Sequence, residues 1–234
     1  MRLVSHQAAS LVSTALCGLL FADASSAALT KIATFDGATG TTFQWQDLND
    51  PVMGGRSTST FHVDQKVGIF NGTCAIVPSL KAPGFAKIMT DRGKSFADVS
   101  QHIGGYMELS VRTSTPSFKG YRVAFAAKNV PRTSIFGGGS FKAGFNLTDS
   151  SNVDEFQIVK VPFSDFSYDW SPFTGRCDTK DPTGQQHHCC SDSDNKKYCP
   201  TASYLSTITD IEVWAEGAEG DFHLEIDYIG ANSN

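Results

Sequence analysis

The chain has 234 residues, of which 40% are hydrophobic and 18% charged, and it contains 17 Phe. All-β sandwiches commonly reach this length as one domain, and the apolar content is sufficient for a buried core. The formal net charge of -5 and the pI near 5.6 argue against a surface that neutralises nucleic-acid phosphates or anionic lipid. We therefore expect one folded domain that has no nucleic-acid partner.

The first 27 residues are typical of a targeting peptide. Arg2 is followed by no acid before Asp23, residues 11–22 are mainly apolar, and the small residues ADASSAA suit cleavage. No run approaches the roughly 18 continuous apolar residues of a membrane span, so we expect none in the mature chain. We predict a signal peptide at 1–27, a single domain at 28–234, and a location in the secretory pathway or outside the cell. A mitochondrial transit peptide is the alternative.

Short alternating runs rich in Val, Ile, Phe, Tyr and Thr recur along the chain and predict strands. Clusters of Gly, Pro, Asn and Asp separate them. Many short strands with regular turns predict an all-β, two-sheet jelly-roll sandwich. In chain order, the predicted strands are 31–35, 42–46, 57–63, 66–71, 74–77, 85–90, 106–113, 121–127, 140–146, 155–162, 208–215 and 222–229.

Residues 171–202 interrupt this rhythm, because they are polar, rich in Pro, Gly and Asp, and contain Cys177, Cys189, Cys190 and Cys199. We predict a surface insertion held by disulfides, since such a long irregular loop needs a constraint or a function. Cys177 with Cys189 and Cys190 with Cys199, or the crossed pairing, remain open; ring strain disfavours the vicinal bridge. Zinc ligands are usually two to four residues apart rather than adjacent, so we expect no metal and no cofactor.

Two sequons for N-glycosylation are present, at Asn71-Gly72-Thr73 and at Asn146-Leu147-Thr148. They matter only in the secretory pathway, where we predict that Asn71 and Asn146 carry glycans.

The stretch NDPVMGGRSTSTF, residues 49–61, has the glycines of a phosphate-binding loop. Such a loop needs a following helix and a Lys, whereas a strand pattern follows here. The better interpretation is a turn that Asn49, Asp50 and Pro51 begin and in which Gly54 and Gly55 supply unusual backbone conformations.

No catalytic site emerges from the sequence. Asp154 with Glu155, or Glu225 with Asp227, could serve glycoside hydrolysis, but their separation in space cannot be read from sequence. Glu225 and Asp227 alternate with apolar residues, which predicts a solvent-facing strand edge. Three tryptophans could stack on sugar rings, although packing in the core or at its rim is commoner; they are Trp45, Trp170 and Trp214.

Several segments in a fixed order resemble the complex I intermediate-associated protein 30 (CIA30) domain. The most specific is WQDLNDPVMGGRS, residues 45–57, which Phe61 and the triplet Phe70-Asn71-Gly72 follow. The later segments that resemble the family are 83–86, 105–112, 161–163 with Phe166, and 222–229. Together they cover about residues 32–229.

This resemblance implies a galactose-binding-domain-like sandwich and a non-catalytic role, since family members are known as assembly factors or chaperones for respiratory complex I. We therefore expect a module that binds a protein partner. A secreted carbohydrate-binding module is the alternative, with a glycan as ligand, because jelly rolls carry many lectins. The expected binding residues are Trp45, Asp50, Met53, Gly54, Gly55 and Ser57.

Overall fold

The structure is a computed structural model that describes residues 28–50, 54–80, 83–91, 93–132, 139–148 and 154–233. Within these ranges no helix has the length and apolar character needed to cross a bilayer. A short helix, α1, spans Ala202–Leu205. The strands are β1 Thr30–Thr34, β2 Trp45–Asn49, β3 Thr58–Asp64, β4 Val67–Cys74, β5 Phe85–Thr90, β6 Tyr106–Arg112, β7 Tyr121–Ala127, β8 Ser140–Gly144, β9 Gln157–Pro162, β10 Ile208–Glu216 and β11 Gly220–Asn232.

The strands form two antiparallel sheets. One has the order β3-β4-β11-β6-β9, with β1 also paired to β11, and the other has the order β2-β5-β10-β7-β8. We call them the six-stranded and the five-stranded sheet. The chain crosses repeatedly between the sheets, which confirms the predicted all-β jelly-roll sandwich.

The core lies between the two sheets and follows from strand alternation. In β6 every second residue, Met107, Leu109 and Val111, is completely buried. In β10 the alternate residues Ile211 and Val213 face the same core. The polar residues between them lie on the outer faces of the two sheets.

Most predicted strands are observed with shifted ends, and two of them differ further. The expected strand 74–77 does not form, because the amide N–H of Ala75 donates to Ser57 Oγ and that of Ile76 to a side chain, Glu219 Oε1. The expected strand 42–46 begins later, at Trp45, because Thr42 instead bonds to the side chain of Thr34.

The expectation that Glu225 and Asp227 lie at a strand edge is wrong. Their strand, β11, pairs with β4 on one side and with β6 on the other, and so lies inside the six-stranded sheet. Apolar and polar residues alternate in the same way in an edge strand and in a central strand of a sheet whose outer face is solvated. The sequence pattern alone therefore could not tell whether this strand is central or at the edge.

The insertion, residues 171–202, is only partly a surface loop. Its disulfides join Cys177 to Cys189 and Cys190 to Cys199. Yet Ser171 and Cys190 are buried, because the insertion and the preceding Trp170 pack on the outer face of the five-stranded sheet.

Candidate functional site

The carboxylate of Asp50 organises the turn that precedes β3. Its Oδ1 accepts the amide N–H of Ser57 at 2.7 Å, and its Oδ2 accepts the Ser57 hydroxyl at 2.9 Å. Oδ2 also accepts the amide N–H of Phe85 at 3.2 Å. Asp50 is buried, so these three charge-assisted bonds tie the turn to the first residue of β5.

The glycine pair of this turn is needed for two different reasons. Gly55 donates its amide N–H to the carbonyl of Asp50, and a Cβ on Gly55 would lie 2.1 Å from Asp50 Cγ. Gly54 has a φ of 88°, in the left-handed region that glycine adopts without strain. The geometry of both residues agrees with the turn interpretation of the sequence.

The six residues expected to bind a partner do not form one exposed patch. Trp45 packs against Phe35 and Phe61, with ring centroids 5.6 and 5.9 Å away, and faces inwards. Ser57 is fully buried, whereas Gly54 is exposed and Gly55 half-buried. Met53 lies outside the described residues. Of the six, Asp50 borders a cavity.

A cavity of about 240 Å³ opens beside Asp50. Its walls come from the start of β5, the end of β10, the 3-10 turn Pro78–Leu80 and the region around the insertion. The sequence did not predict the cavity, although it indicated three of its lining residues, Asp50, Trp170 and Trp214, as candidates for binding. The lining residues are Asp50, Val77, Leu80, Pro83, Gly84, Phe85, Trp170, Pro172, Phe173, Trp214 and Glu216.

A buried cation lies beside this cavity, between its two tryptophans. Lys142 Nζ is 3.7 Å from the ring centroid of Trp170 and 3.6 Å from that of Trp214. It also donates to Glu216 Oε2 at 2.9 Å. A cation between two indole faces is stabilised by both ring quadrupoles. Lys142 therefore joins Trp170 to the sheet.

The charges around Lys142 are closely balanced. Burial lowers the pKa of Lys142 to about 8, and the neighbouring Glu216 opposes this shift. Arg122 Nε lies 3.0 Å from Glu216 Oε2, but its N–H is not aligned for a hydrogen bond, so we treat this contact as an ion pair only. Lys87 and Glu212 form a second pair at 3.2 Å, and Glu212 also accepts the indole N–H of Trp214.

A buried histidine fixes the insertion from within. His187 places Nδ1 2.8 Å from Asp169 Oδ1 and Nε2 3.0 Å from Asp181 Oδ2. Together with the disulfides, these contacts make the insertion a preformed wall of the cavity. In the part of the chain that the structure describes, no group of three or more His, Cys, Asp or Glu residues could hold a metal ion.

The two sequons occupy different surroundings. Asn146 is exposed in the segment after β8. Asn71 lies within β4, where its side-chain oxygen accepts the hydroxyl of Thr60.

Fold and cavity together define a two-sheet β-sandwich module with a small, mainly apolar cavity on the outer face of one sheet. The family described as "Complex I intermediate-associated protein 30 (CIA30)" matches residues 33–180, which is more than half of the chain. The chain therefore belongs to the CIA30 family, as the sequence predicted. No curated protein sequence matches it significantly.

Several solved structures resemble the chain. The family 11 carbohydrate-binding module of the cellulosomal cellulase Lic26A-Cel5E of Clostridium thermocellum has 14% identity and a TM-score of 0.46, covering 89% of this chain and 96% of that one. The solution structure of CtCBM11 has 17% identity and a TM-score of 0.46, covering 90% and 98%. PfGH50B has 11% identity and a TM-score of 0.44; the match covers 82% of this chain but spans only 22% of PfGH50B.

Proposed function

We propose that this protein is a non-catalytic binding module that anchors a protein partner in the cavity beside Asp50. Membership of the CIA30 family supports a role as an assembly factor or chaperone, with respiratory complex I as the system that the family description names. The observation that carries the proposal is the lining of the cavity, in which nine of the eleven residues that the structure describes are apolar or aromatic.

The volume of the cavity favours a side chain over a larger ligand. Sites for small molecules usually measure about 300–1,000 Å³, whereas an apolar cavity of about 150 Å³ already holds benzene. A cavity of about 240 Å³ therefore suits one large side chain of a partner. Buried anchors of this kind supply much of the binding energy at protein interfaces.

The two carboxylates in the lining support a role in binding rather than catalysis. Asp50 accepts three internal hydrogen bonds, and Glu216 is ion-paired with Lys142 and Arg122. Asp50 therefore holds the turn, and Oε2 of Glu216 holds the two cations. A general acid or base, by contrast, must be within reach of a proton on the substrate.

The proposed location is the secretory pathway or the extracellular space, with the mitochondrion as the alternative. Two disulfides and an exposed sequon at Asn146 support export. The test is the mature N-terminus, measured by mass spectrometry on protein from its own cells. Cleavage near residue 27 with a glycan on Asn71 or Asn146 supports export, whereas an unglycosylated protein in the mitochondrial matrix contradicts it.

A secreted carbohydrate-binding module is the second candidate, because aromatic side chains line the cavity and sugar rings stack on such side chains. A glycan array with the folded mature protein tests it. Retention of a defined glycan that a cavity variant loses would favour this candidate, and no retained glycan would remove it.

Partner capture with matched variants tests the first candidate. Leu80 is 40% exposed at the cavity, and Phe173 forms part of its wall. Tagged wild-type protein should recover a defined partner from its own cells, and Leu80→Ser and Phe173→Ser should each reduce that recovery roughly tenfold, as expected for loss of an anchoring contact. Ile158→Ser is the control, because Ile158 is 50% exposed on the other sheet. Undiminished recovery by both folded cavity variants would contradict the proposal.

A further inference from the structure

We infer that the cavity accepts a neutral aromatic ring that carries a hydrogen-bond donor, which is the side chain of a Trp or a Tyr on the partner. This inference rests on the proposed function, because it specifies the chemistry of the anchoring residue.

The walls of the cavity suit a flat ring. The rings of Phe85 and Trp214 are tilted by 52° with centroids 5.4 Å apart, and those of Trp170 and Trp214 are at 69° and 6.1 Å. Aromatic rings prefer such offset and edge-to-face contacts, so another ring can extend the cluster. Phe173 lies in the same lining.

The polar atoms at this site favour a ligand that carries a hydrogen-bond donor. Both indole N–H groups are already used, since Trp214 donates to Glu212 and Trp170 to the carbonyl of Ser140. Lys142 and Arg122 both lie against Oε2 of Glu216, and no described residue donates to its Oε1. The lining therefore offers an acceptor.

A ring without a donor would be a poorer ligand. It would cover the carboxylate of Glu216 and give it no hydrogen bond, which is unfavourable for a buried acceptor. An indole N–H or a phenol O–H would supply that hydrogen bond. Trp and Tyr are also enriched among the residues that dominate binding at interfaces.

The local charges disfavour a cationic ligand. The carboxylate of Glu216 is balanced by Lys142 and Arg122, which both lie within 3.0 Å of its Oε2, whereas Asp50 is held by three hydrogen bonds. A Lys, an Arg or a quaternary ammonium would therefore meet two like charges beside an anion that is already neutralised.

A sugar fits this chemistry less well. Each monosaccharide carries several hydroxyls, each of which needs donors and acceptors when buried. Among the lining residues that the structure describes, the polar side chains other than the tryptophans are Asp50 and Glu216, and both are acceptors. Most of the sugar hydroxyls would remain unpaired.

Four small probes test the inference on the folded mature protein. They are indole, 1-methylindole, benzyltrimethylammonium and methyl β-galactoside, titrated by NMR with the indole N–H signals of Trp170 and Trp214 as reporters. Indole should bind roughly tenfold more tightly than 1-methylindole, which has the same ring but no donor, because a hydrogen bond to a charged group is lost. Phe173→Ala should weaken indole binding by about tenfold, whereas Ile158→Ala on the other sheet should leave it unchanged.

Equal affinities for indole and 1-methylindole would overturn the inference, as would tighter binding of the cation or of the galactoside. Neither result alone would contradict the proposed function, because the partner-capture experiment tests that function separately. Conversely, a partner recovered undiminished by the cavity variants would reject the proposed function even if indole binds.

Discussion

The outer faces of the two sheets carry similar ion pairs in different surroundings. On the five-stranded sheet, Lys142 and Glu216 lie 2.9 Å apart with side chains 1% and 3% exposed. On the six-stranded sheet, Arg112 and Glu225 lie 2.6 Å apart with side chains 28% and 19% exposed. The two distances are nearly equal, so the pairs differ in their exposure to solvent, which depends on what covers each pair.

Trp170 and the insertion cover the first pair, whereas the second remains open to water. Beneath Trp170, Lys142 has lost its hydration and depends on Glu216 and on two indole rings. Arg112 retains solvent and stacks over Phe156 at 4.7 Å. Because an unpaired charge is far more unfavourable when it is buried than when water solvates it, loss of a partner should matter far more on the covered face.

The largest difference in stability between the two faces is expected from Glu216→Gln. The substitution leaves Lys142 and Arg122 without their carboxylate in a buried site, and we expect a loss of about 3–5 kcal/mol in the free energy of unfolding. Urea denaturation at pH 7, followed by tryptophan fluorescence, measures it.

The matched control is Glu225→Gln on the open face, where a loss of under about 1 kcal/mol is expected. Equal losses for the two substitutions would show that the cover has no influence on the contribution of an ion pair.

A second prediction concerns the turn at the border of the covered face. Asp50→Ala removes the acceptor of three hydrogen bonds and leaves the amide N–H groups of Ser57 and Phe85 unpaired. We expect a loss of about 3 kcal/mol, since each buried unsatisfied donor costs roughly 1–3 kcal/mol. Thermal and urea denaturation measure it.

Asp47→Ala in β2, the strand before Asp50, is the control, because Asp47 is exposed and should change stability by less than about 0.5 kcal/mol. A neutral effect of Asp50→Ala would contradict the role of its carboxylate in holding the turn, which the sequence and the hydrogen bonds both indicate.

Local patterns were enough to predict the sandwich. Apolar and polar residues alternate in β6 and β10, and this alternation is visible in the sequence even though both faces of these strands are largely buried in the structure. The turn at Gly54 and Gly55 could also be predicted, because glycine marks backbone that other residues resist. The family model matches residues 33–180, which include this turn.

The cavity could not be predicted, because it is made by residues far apart in sequence. Lys142 and Glu216 are 74 residues apart and would each be assigned to solvent by their charge. His187 sits in a polar stretch that predicts an exposed loop, yet two buried carboxylates hold it inside. Only tertiary packing makes such residues internal.

The third prediction uses pH to probe the covered face. The pKa of Lys142 is lowered by burial to about 8 from a usual 10.5. Between these values the unfolded chain retains a proton that the folded protein has released, so stability rises with pH. We expect wild type to gain about 1–2 kcal/mol between pH 8 and 10 relative to Lys142→Met. Parallel pH profiles for the two proteins would place Lys142 in contact with solvent.

The smallest effect is expected at acid pH on the open face. Burial alone would raise the pKa of Glu225, but hydrogen bonds from Arg112 and His223 outweigh it and hold the pKa below its usual 4.5. A lowered carboxyl pKa gives stability that is present above pH 4.5 and is lost as pH falls through the folded value. Wild type should therefore lose up to about 1 kcal/mol relative to Glu225→Gln between pH 5 and 3, and less in high salt. Acid unfolding curves with and without salt measure this, and a loss independent of salt would mean that the Arg112 pair is as shielded as that of Lys142.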